Sequence, residues 1–537
     1  MLKKISLPQR FWLCMFSAFL VWLSFPNYLE KTLCPLSAPL AWVAFIPFFL
    51  ALEGTTPQQA ALLGYLFGFA QMGAIIYWIA VLEEAKYLGP VAWAALVGYL
   101  SLYTGLFAWV FRKSTILGLS PVWTAPILWL GFEYFRGSRP WGGFNWGEIG
   151  YSQVGYPNLA FWAGIAGEYG LTFLIILMNA YWANFLIKRF NGFRLPAREW
   201  AGIFLPIVCL ITLMVMGNFM ISSTPLRKLG TVALLQPSVD QDDKWTKAFE
   251  NETYNRYEAL IRSCAESKPD LILWPETGAP DFLRAEPVIL NRVSRMVAEG
   301  GAPELVGCLD VTRDKRNGLD YFNAALEFDE KGQPGKIYHK CHLVPFGEFM
   351  PFQKYLTFLG PIVSNLGSFT PGARYMKFST RAFTYAPAIC YETVFPGDMR
   401  SAVQTGADVL VNISNDAWYG HTAAAYQHAQ MGIMRSSELR RPLLRAANTG
   451  ISYITDPFGR VLLSGGFFTQ QALVGNVLVV KCPMTFYTTW GNWLPEICLW
   501  LTAAMVLLGL IRTTPQKTWT DPGQGEVSQP LPSQGDI

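Results

Sequence analysis

Leu271-Ile272-Leu273-Trp274-Pro275-Glu276-Thr277 is an apolar run that stops at a proline and then presents a carboxylate. A short apolar run bounded by a breaker reads as a buried β-strand, and α/β folds place reacting groups at strand ends. Glu276, half-buried beside Trp274, is therefore a candidate general base with an expected raised pKa. The plainer alternative is a surface acid in a strand-to-helix turn.

Two further clusters repeat this pattern downstream. In Tyr338-His339-Lys340-Cys341-His342-Leu343-Val344-Pro345-Phe346-Gly347-Glu348, a lysine and a carboxylate bracket an apolar Pro/Gly turn. Held near a carboxylate, Lys340 can stay charged and stabilise an oxyanion, or lower the pKa of a nearby thiol; an exposed ion pair is the bland reading. In Ala386-Pro387-Ala388-Ile389-Cys390-Tyr391-Glu392, a strand ends at a cysteine followed by polar groups. Such a thiol can attack a carbonyl carbon while the next backbone N–H faces the developing oxyanion, although a lone strand-end cysteine is more often structural. His339 and His342 do not make a metal site: the chain has four histidines and no carboxylate-rich ligand set near these two. No metal or other cofactor is expected, and Cys341 reads as a bystander.

Around these clusters, residues 228–482 alternate short apolar runs with amphipathic stretches, as a compact α/β domain does. Expected strands are 231–236, 270–274, 304–309, 321–328, 382–389, 407–413, 450–455 and 472–480, with helices over 242–267, 284–299 and 422–440.

The remainder is membrane-like. The chain has 537 residues, 52% of them hydrophobic and 15% charged, too apolar for an ordinary soluble two-domain protein. Seven apolar stretches near bilayer length precede the α/β domain, at 11–29, 36–53, 59–82, 91–111, 121–136, 158–187 and 200–220, and an eighth follows at 490–511. Lys3, Lys4 and Arg10 suit a signal peptide, but no cleavage site follows, so an uncleaved first helix is expected. With the N-terminus inside, Arg112, Lys113, Lys188, Arg189, Arg194, Arg198, Arg512 and Lys517 fall in cytoplasmic loops, and only Lys31, Lys86, Arg136 and Arg139 fall outside. The division is then 1–220 transmembrane, 221–489 extracytoplasmic and catalytic, 490–511 a final span and 512–537 a disordered cytoplasmic tail. Arg136, among Trp141, Trp146 and Tyr151, is either a lipid-headgroup contact or a snorkelling arginine in an aromatic belt. The stretch Pro351–Phe369 has the composition of a membrane-dipping lid. A net charge of +4 without basic runs argues against nucleic acid. The nine cysteines have no disulfide or zinc spacing.

Trp-Pro-Glu, Tyr-x-Lys with Leu-Val-Pro-Phe-Gly-Glu, and Cys-Tyr-Glu, in that order, resemble the Glu-Lys-Cys triad of the carbon–nitrogen hydrolase (nitrilase) superfamily. That resemblance implies a four-layer αββα sandwich with Glu276 as base, Lys340 as oxyanion stabiliser and Cys390 as nucleophile. Together with the eight spans, the segments Pro345–Phe349, Asn412–Tyr419 and Arg441–Gly450 resemble the apolipoprotein N-acyltransferases, a membrane-bound branch of that superfamily. This implies a ping-pong reaction at the outer face of a bacterial inner membrane. Cys390 takes an acyl chain from a phospholipid as a thioester, then passes it to the α-amine of an apolipoprotein's diacylglyceryl-cysteine. Supporting roles are implied for Glu348 beside the lysine, Glu392 as a further acid, Tyr391 through its backbone N–H and Trp245 near an acyl channel. A monomer is expected. A membrane-anchored amidase or nitrilase with the same triad is the rival reading, and a transporter is disfavoured because the spans lack paired charges and evident inverted repeats.

Overall fold

The computed structural model describes residues 5–82, 86–139, 142–193, 196–313, 318–350, 369–481 and 484–511. The expected lid, apart from Phe369, lies outside the described residues, as do Trp141 and the tail.

Among the described residues, four helices are long and apolar enough to cross a membrane: Gly89–Ile116, Glu168–Phe190, Trp200–Ser223 and Trp493–Ile511. The expectation of eight goes beyond that number, because apolar content outran helix continuity. The stretch 36–53 contains Pro39 and Pro47 and divides into a turn at Ala38–Trp42 and a short helix, Ile46–Leu52. In 158–187, Gly167 adopts φ +69° and separates two single turns from the helix Glu168–Phe190. Leu7–Leu23 is apolar but short, and Pro121–Ser138 carries Pro126, Glu133 and Arg136. The helices Pro57–Ile75 and Gly89–Ile116 pack closely because Gly64 and Gly68 face Thr104. A Cβ at Gly68 would come within 1.8 Å of the Thr104 hydroxyl, the close approach that small residues permit between membrane helices.

Among the described residues, thirteen strands form two mixed sheets. The first contains β1 (Leu226–Gln236), β2 (Leu271–Leu273), β3 (Ala279–Phe282), β4 (Glu304–Arg313), β5 (Leu319–Phe328), β6 (Pro334–His339) and β13 (Gln471–Val480), in the order β13-β1-β2-β4-β5-β6 with β3 beside β4. The second contains β7 (Phe378–Ser379), β8 (Thr384–Ile389), β9 (Val409–Ser414), β10 (Leu443–Ala447), β11 (Tyr453–Thr455) and β12 (Val461–Ser464), in the order β12-β11-β10-β9-β8-β7. The β1–β2–β4 and β8–β9–β10 pairings are parallel. These central strands are almost wholly apolar because they are covered on both faces.

Val232, Leu234, Leu273 and Leu305 of the first sheet meet Ile389, Val411, Ile413 and Leu444 of the second in one core. Glu250–Ala265 and Pro287–Gly300 cover the outer face of the first sheet through Tyr257, Ile261, Val293 and Val297. Pro396–Gln404 and Ala424–Leu439 cover the second. Met399, Met431 and Met434 on these two helices belong to the same continuous core as Phe48, Phe67 and Trp129 of the helical domain. The αββα sandwich is thus fused, through its second helical layer, to the membrane-type helices.

Candidate active site

Three chain reversals converge at one end of the two sheets. After β2, Trp274 is fully buried and stacked on Tyr257 at 3.9 Å, and Thr277 turns the chain at φ +45°. That turn lies directly on β4 because residue 307 is glycine: a Cβ there would sit 2.2 Å from the Pro275 carbonyl. Glu276 is thereby held inward and 6% exposed.

Lys340 follows β6, where its backbone N–H donates to Asn323 O (2.9 Å). Its ammonium bridges Glu276 Oε1 at 3.2 Å and Glu348 Oε1 at 2.9 Å. The Asn323 amide donates to the same two oxygens, at 2.7 and 2.8 Å. Glu276 Oε2 accepts the Asn415 backbone N–H at 2.9 Å, Glu348 Oε2 accepts that of Val344 at 2.8 Å, and Lys244 Nζ donates to the Glu276 carbonyl at 3.0 Å.

Cys390 ends β8 and begins a helical turn, Cys390–Val394, with φ +50°, a left-handed conformation that is strained for a non-glycine residue. Glu392 ties this turn to the lysine loop. Its carboxylate accepts from the Ile389 N–H (2.6 Å), the Cys341 N–H (2.6 Å), the His342 N–H (3.1 Å) and the Tyr338 hydroxyl (2.8 Å). The Cys390 carbonyl accepts from the Asn412 amide at 3.3 Å and lies 3.2 Å from His428 Nε2. His428 Nδ1 and Arg445 Nη2 sit 3.0 and 2.6 Å from Asp416.

Charge balance determines the protonation states. Burial alone raises the Glu276 carboxyl, but Lys340, the Asn323 amide and Lys244 outweigh it and bring the pKa below its ordinary value. This corrects the expected raised pKa, which considered Trp274 without the ammonium. Burial also opposes a charged Lys340, yet Glu276 and Glu348 hold its pKa above the usual lysine value. Burial and then Glu276 push the Cys390 thiol up, so it rests protonated. Burial lowers Lys244 to about 8 against the pull of Glu276. Burial pushes Glu392 up to about 7, opposed by the Ile389 N–H and Lys340.

Glu276, Lys340, Cys390 and Glu392 therefore share one buried cluster, with Glu348 partly buried at its edge. Tyr391 packs edge-on to Phe395 at 5.0 Å, beside the Cys390–Val394 turn. Trp245 differs: it is half exposed, at the rim, with Lys244 rather than its own ring reaching inward. Sequence reading did not select Asn323, Lys244 and His428, and it quoted Asp416 and Arg445 only within the segments Asn412–Tyr419 and Arg441–Gly450, without a role; an amide in the otherwise apolar run Phe322–Leu326 was the available signal for Asn323. His339 and His342 point to Asp310 and Asp398 respectively, not to each other. Side-chain ligand atoms of Cys390, Asp416 and His428 lie within 4.8 Å of one another. Arg445 already neutralises Asp416, burial notwithstanding, and with His428 lowers its pKa to about 2, so a cation there would meet a buried guanidinium. Arg136 is buried against Glu148 at 2.8 Å, which corrects its reading as a headgroup contact or a snorkelling side chain.

Residues 17–181 match the family model for the apolipoprotein N-acyltransferase N-terminal domain, and residues 231–491 match that for carbon-nitrogen hydrolase. The chain is 34% identical to the apolipoprotein N-acyltransferase of Geobacter metallireducens over 525 residues, which span 94% of this chain and 96% of that one. It is 32% identical to that of Methylococcus capsulatus over 487 residues, or 85% and 90% of the two chains. Among solved structures, an amidase from Nesterenkonia sp. matches 48% of this chain and 92% of its own at 16% identity and a TM-score of 0.35. With helical and hydrolase-like parts both matched, and relatives at 32–34% identity aligned along most of their length, the chain belongs to the apolipoprotein N-acyltransferase family and is an acyltransferase.

Proposed function

We propose that this enzyme N-acylates the diacylglyceryl-cysteine of apolipoproteins in two steps through a thioester on Cys390, with a membrane phospholipid as donor. The observation that carries this reading is the buried set in which Lys340 bridges two carboxylates beside a protonated thiol, in a domain that shares its core with apolar helices.

In the first step the Cys390 sulfur attacks the ester carbonyl carbon and its proton passes to Glu276. The developing oxyanion is stabilised by the Lys340 ammonium and the Tyr391 N–H. The C–O bond then breaks, and Glu276 returns the proton to the departing lysophospholipid oxygen. In the second step the acceptor amine attacks the thioester carbon, gives a proton to Glu276, and expels sulfur, which recovers that proton. Glu348 and Glu392 keep the lysine loop and nucleophile turn in register, and Trp245 at the rim faces the incoming chain. The helical domain holds this chemistry at the outer face of the bacterial inner membrane, where both lipid substrates reside.

The full chain in vesicles of phosphatidylethanolamine with labelled acyl chains tests the reading. Labelled acyl on Cys390, chased onto a diacylglyceryl-cysteine peptide, is the expected result. Hydrolysis of small amides with no acyl uptake from lipid would favour the anchored hydrolase instead.

A pH series is a separate check. Because the Glu276 pKa lies below its ordinary value and that of Lys340 above, both groups stay ionised from pH 5 to 7. Acylation of Cys390 by a soluble ester should change by less than about threefold between pH 5 and 6, below the range in which Glu392, pushed up to about 7 by burial, itself titrates. A tenfold fall between pH 6 and 5 would contradict an ionised Glu276.

A further inference from the structure

The nucleophile turn is held from outside the hydrolase-like domain. Asn145, in the connection between the helices Pro121–Ser138 and Glu168–Phe190, is 1% exposed and donates from Nδ2 to the Val394 carbonyl at 2.6 Å. Val394 closes the turn that Cys390 opens. The amide orientation of Asn145 is set by Tyr169, whose hydroxyl donates to Oδ1 at 3.3 Å. Tyr151 also reaches the Val394 carbonyl, at 3.4 Å, and is itself held by Arg435 at 2.9 Å.

The adjacent Trp146 grips the same site through a second path. Its indole N–H donates to Gln427 Oε1 at 2.8 Å, and the Gln427 amide donates to Pro26 O and Ile75 O, at 2.9 and 3.1 Å. Gln427 is therefore tied to the helical domain at three points. The next residue, His428, lies 3.2 Å from the Cys390 carbonyl and has its ring 6.0 Å from that of Trp146. The helical domain thus contacts the turn at its end, through Val394, and approaches its start, through Gln427 and His428.

These contacts matter because Cys390 is in a strained conformation that persists only where its surroundings over-determine it. A relaxed turn would swing both the sulfur and the Tyr391 N–H away from the lysine, and displacement of a reacting atom by ~1 Å can lower a rate by about 100-fold. We propose that Asn145 and Trp146 are positioning residues for acyl transfer, so that the helical domain is part of the catalytic device as well as its anchor. This rests on Cys390 being the nucleophile.

The test uses the full-length chain in lipid nanodiscs, comparing wild type, Asn145→Ala, Trp146→Phe and Cys390→Ala for acylation by a soluble activated ester, alongside melting temperature. For Asn145→Ala the expected result is a fall of about 10- to 100-fold in kcat with KM changed by less than about twofold. Trp146→Phe keeps the ring and loses the donor; it should show the same split more weakly, and it is the deciding variant if Asn145→Ala does not accumulate. Variants that melt earlier yet retain kcat within about twofold of wild type would overturn the proposal, because a purely structural role predicts that pattern. Turnover by Cys390→Ala would instead remove the thioester reading on which it stands.

Discussion

Cys390→Ser is expected to reduce lipoprotein N-acylation by at least about 10³-fold and to abolish the acyl-enzyme, while leaving the fold intact. The size of the effect follows from the role proposed for Glu276 as base. Glu276 has a pKa below the ordinary carboxylate value, so it is a weak base, able to assist a thiol whose unperturbed pKa is about 8.5 but poorly matched to an alcohol. Serine also shortens the reach toward the ester carbon. The fold should tolerate the change because the side chains are nearly isosteric and Asn412, Ser414 and Glu276 surround the position with polar partners. Intact-mass measurement after incubation with phospholipid vesicles checks the acyl-enzyme, and transfer to a diacylglyceryl-cysteine peptide checks turnover. Undiminished transfer by the serine variant would mean that no thioester lies on the path.

Lys340→Met should be nearly as severe, about 10²- to 10⁴-fold in acylation rate, and should carry a stability signature that Cys390→Ser lacks. Methionine fills the space but removes the charge that bridges Glu276 and Glu348. A buried and a partly buried carboxylate then share the Asn323 amide without a cation, an arrangement that costs up to about 3–5 kcal/mol if both remain ionised. Two carboxylates on one amide, with no cation between them, raise a carboxyl pKa. A folded pKa above the unfolded value gives stability that is present below the unfolded pKa and lost as pH rises through the folded one. The variant should therefore melt progressively earlier between pH 5 and 8. In the wild type the Glu276 pKa is depressed, so its contribution is intact above the unfolded value and vanishes only in acid. Thermal unfolding of both proteins at pH 5 and pH 8 checks this; parallel behaviour would show that the lysine is not the counter-ion of the pair.

How much of this was legible depends on the range of the physics involved. Eight expected strands correspond to β1, β2, β4, β5, β8, β9, β11 and β13, with shifted ends, because a strand buried on both faces must be a continuous apolar run. β10 escaped notice because Leu443-Leu444-Arg445-Ala446-Ala447 carries an arginine at its centre. Arg445 is fully buried, and what makes that tolerable is Asp416, twenty-nine positions away, at 2.6 Å. β7, with two residues, and β3, which pairs irregularly with β4, are too short to have a period. For the membrane helices, four of the described helices meet the length and apolarity of a span against eight expected: hydropathy registers apolar composition, but glycine and proline interrupt helices, as at Gly167 and Pro47.

The same division runs through the site. Strand-end placement made Glu276, Lys340 and Cys390 candidates, but each kept a plainer structural reading until the order of the three motifs supplied the resemblance that implies their roles. Sequence by itself determined the chemistry available, the apolar character of the flanking helices and the membership of the triad's motifs. Only the tertiary structure decided the charge states, since whether Glu276 is raised by burial or lowered by Lys340 depends on a 3.2 Å contact across sixty-four residues. It alone brought Asn323 onto both carboxylates, buried Arg136 against Glu148, and set Asn145 of the helical domain on the turn that begins at Cys390. Those are electrostatic and hydrogen-bonding relations between groups distant in the chain, and no local pattern of residues encodes them.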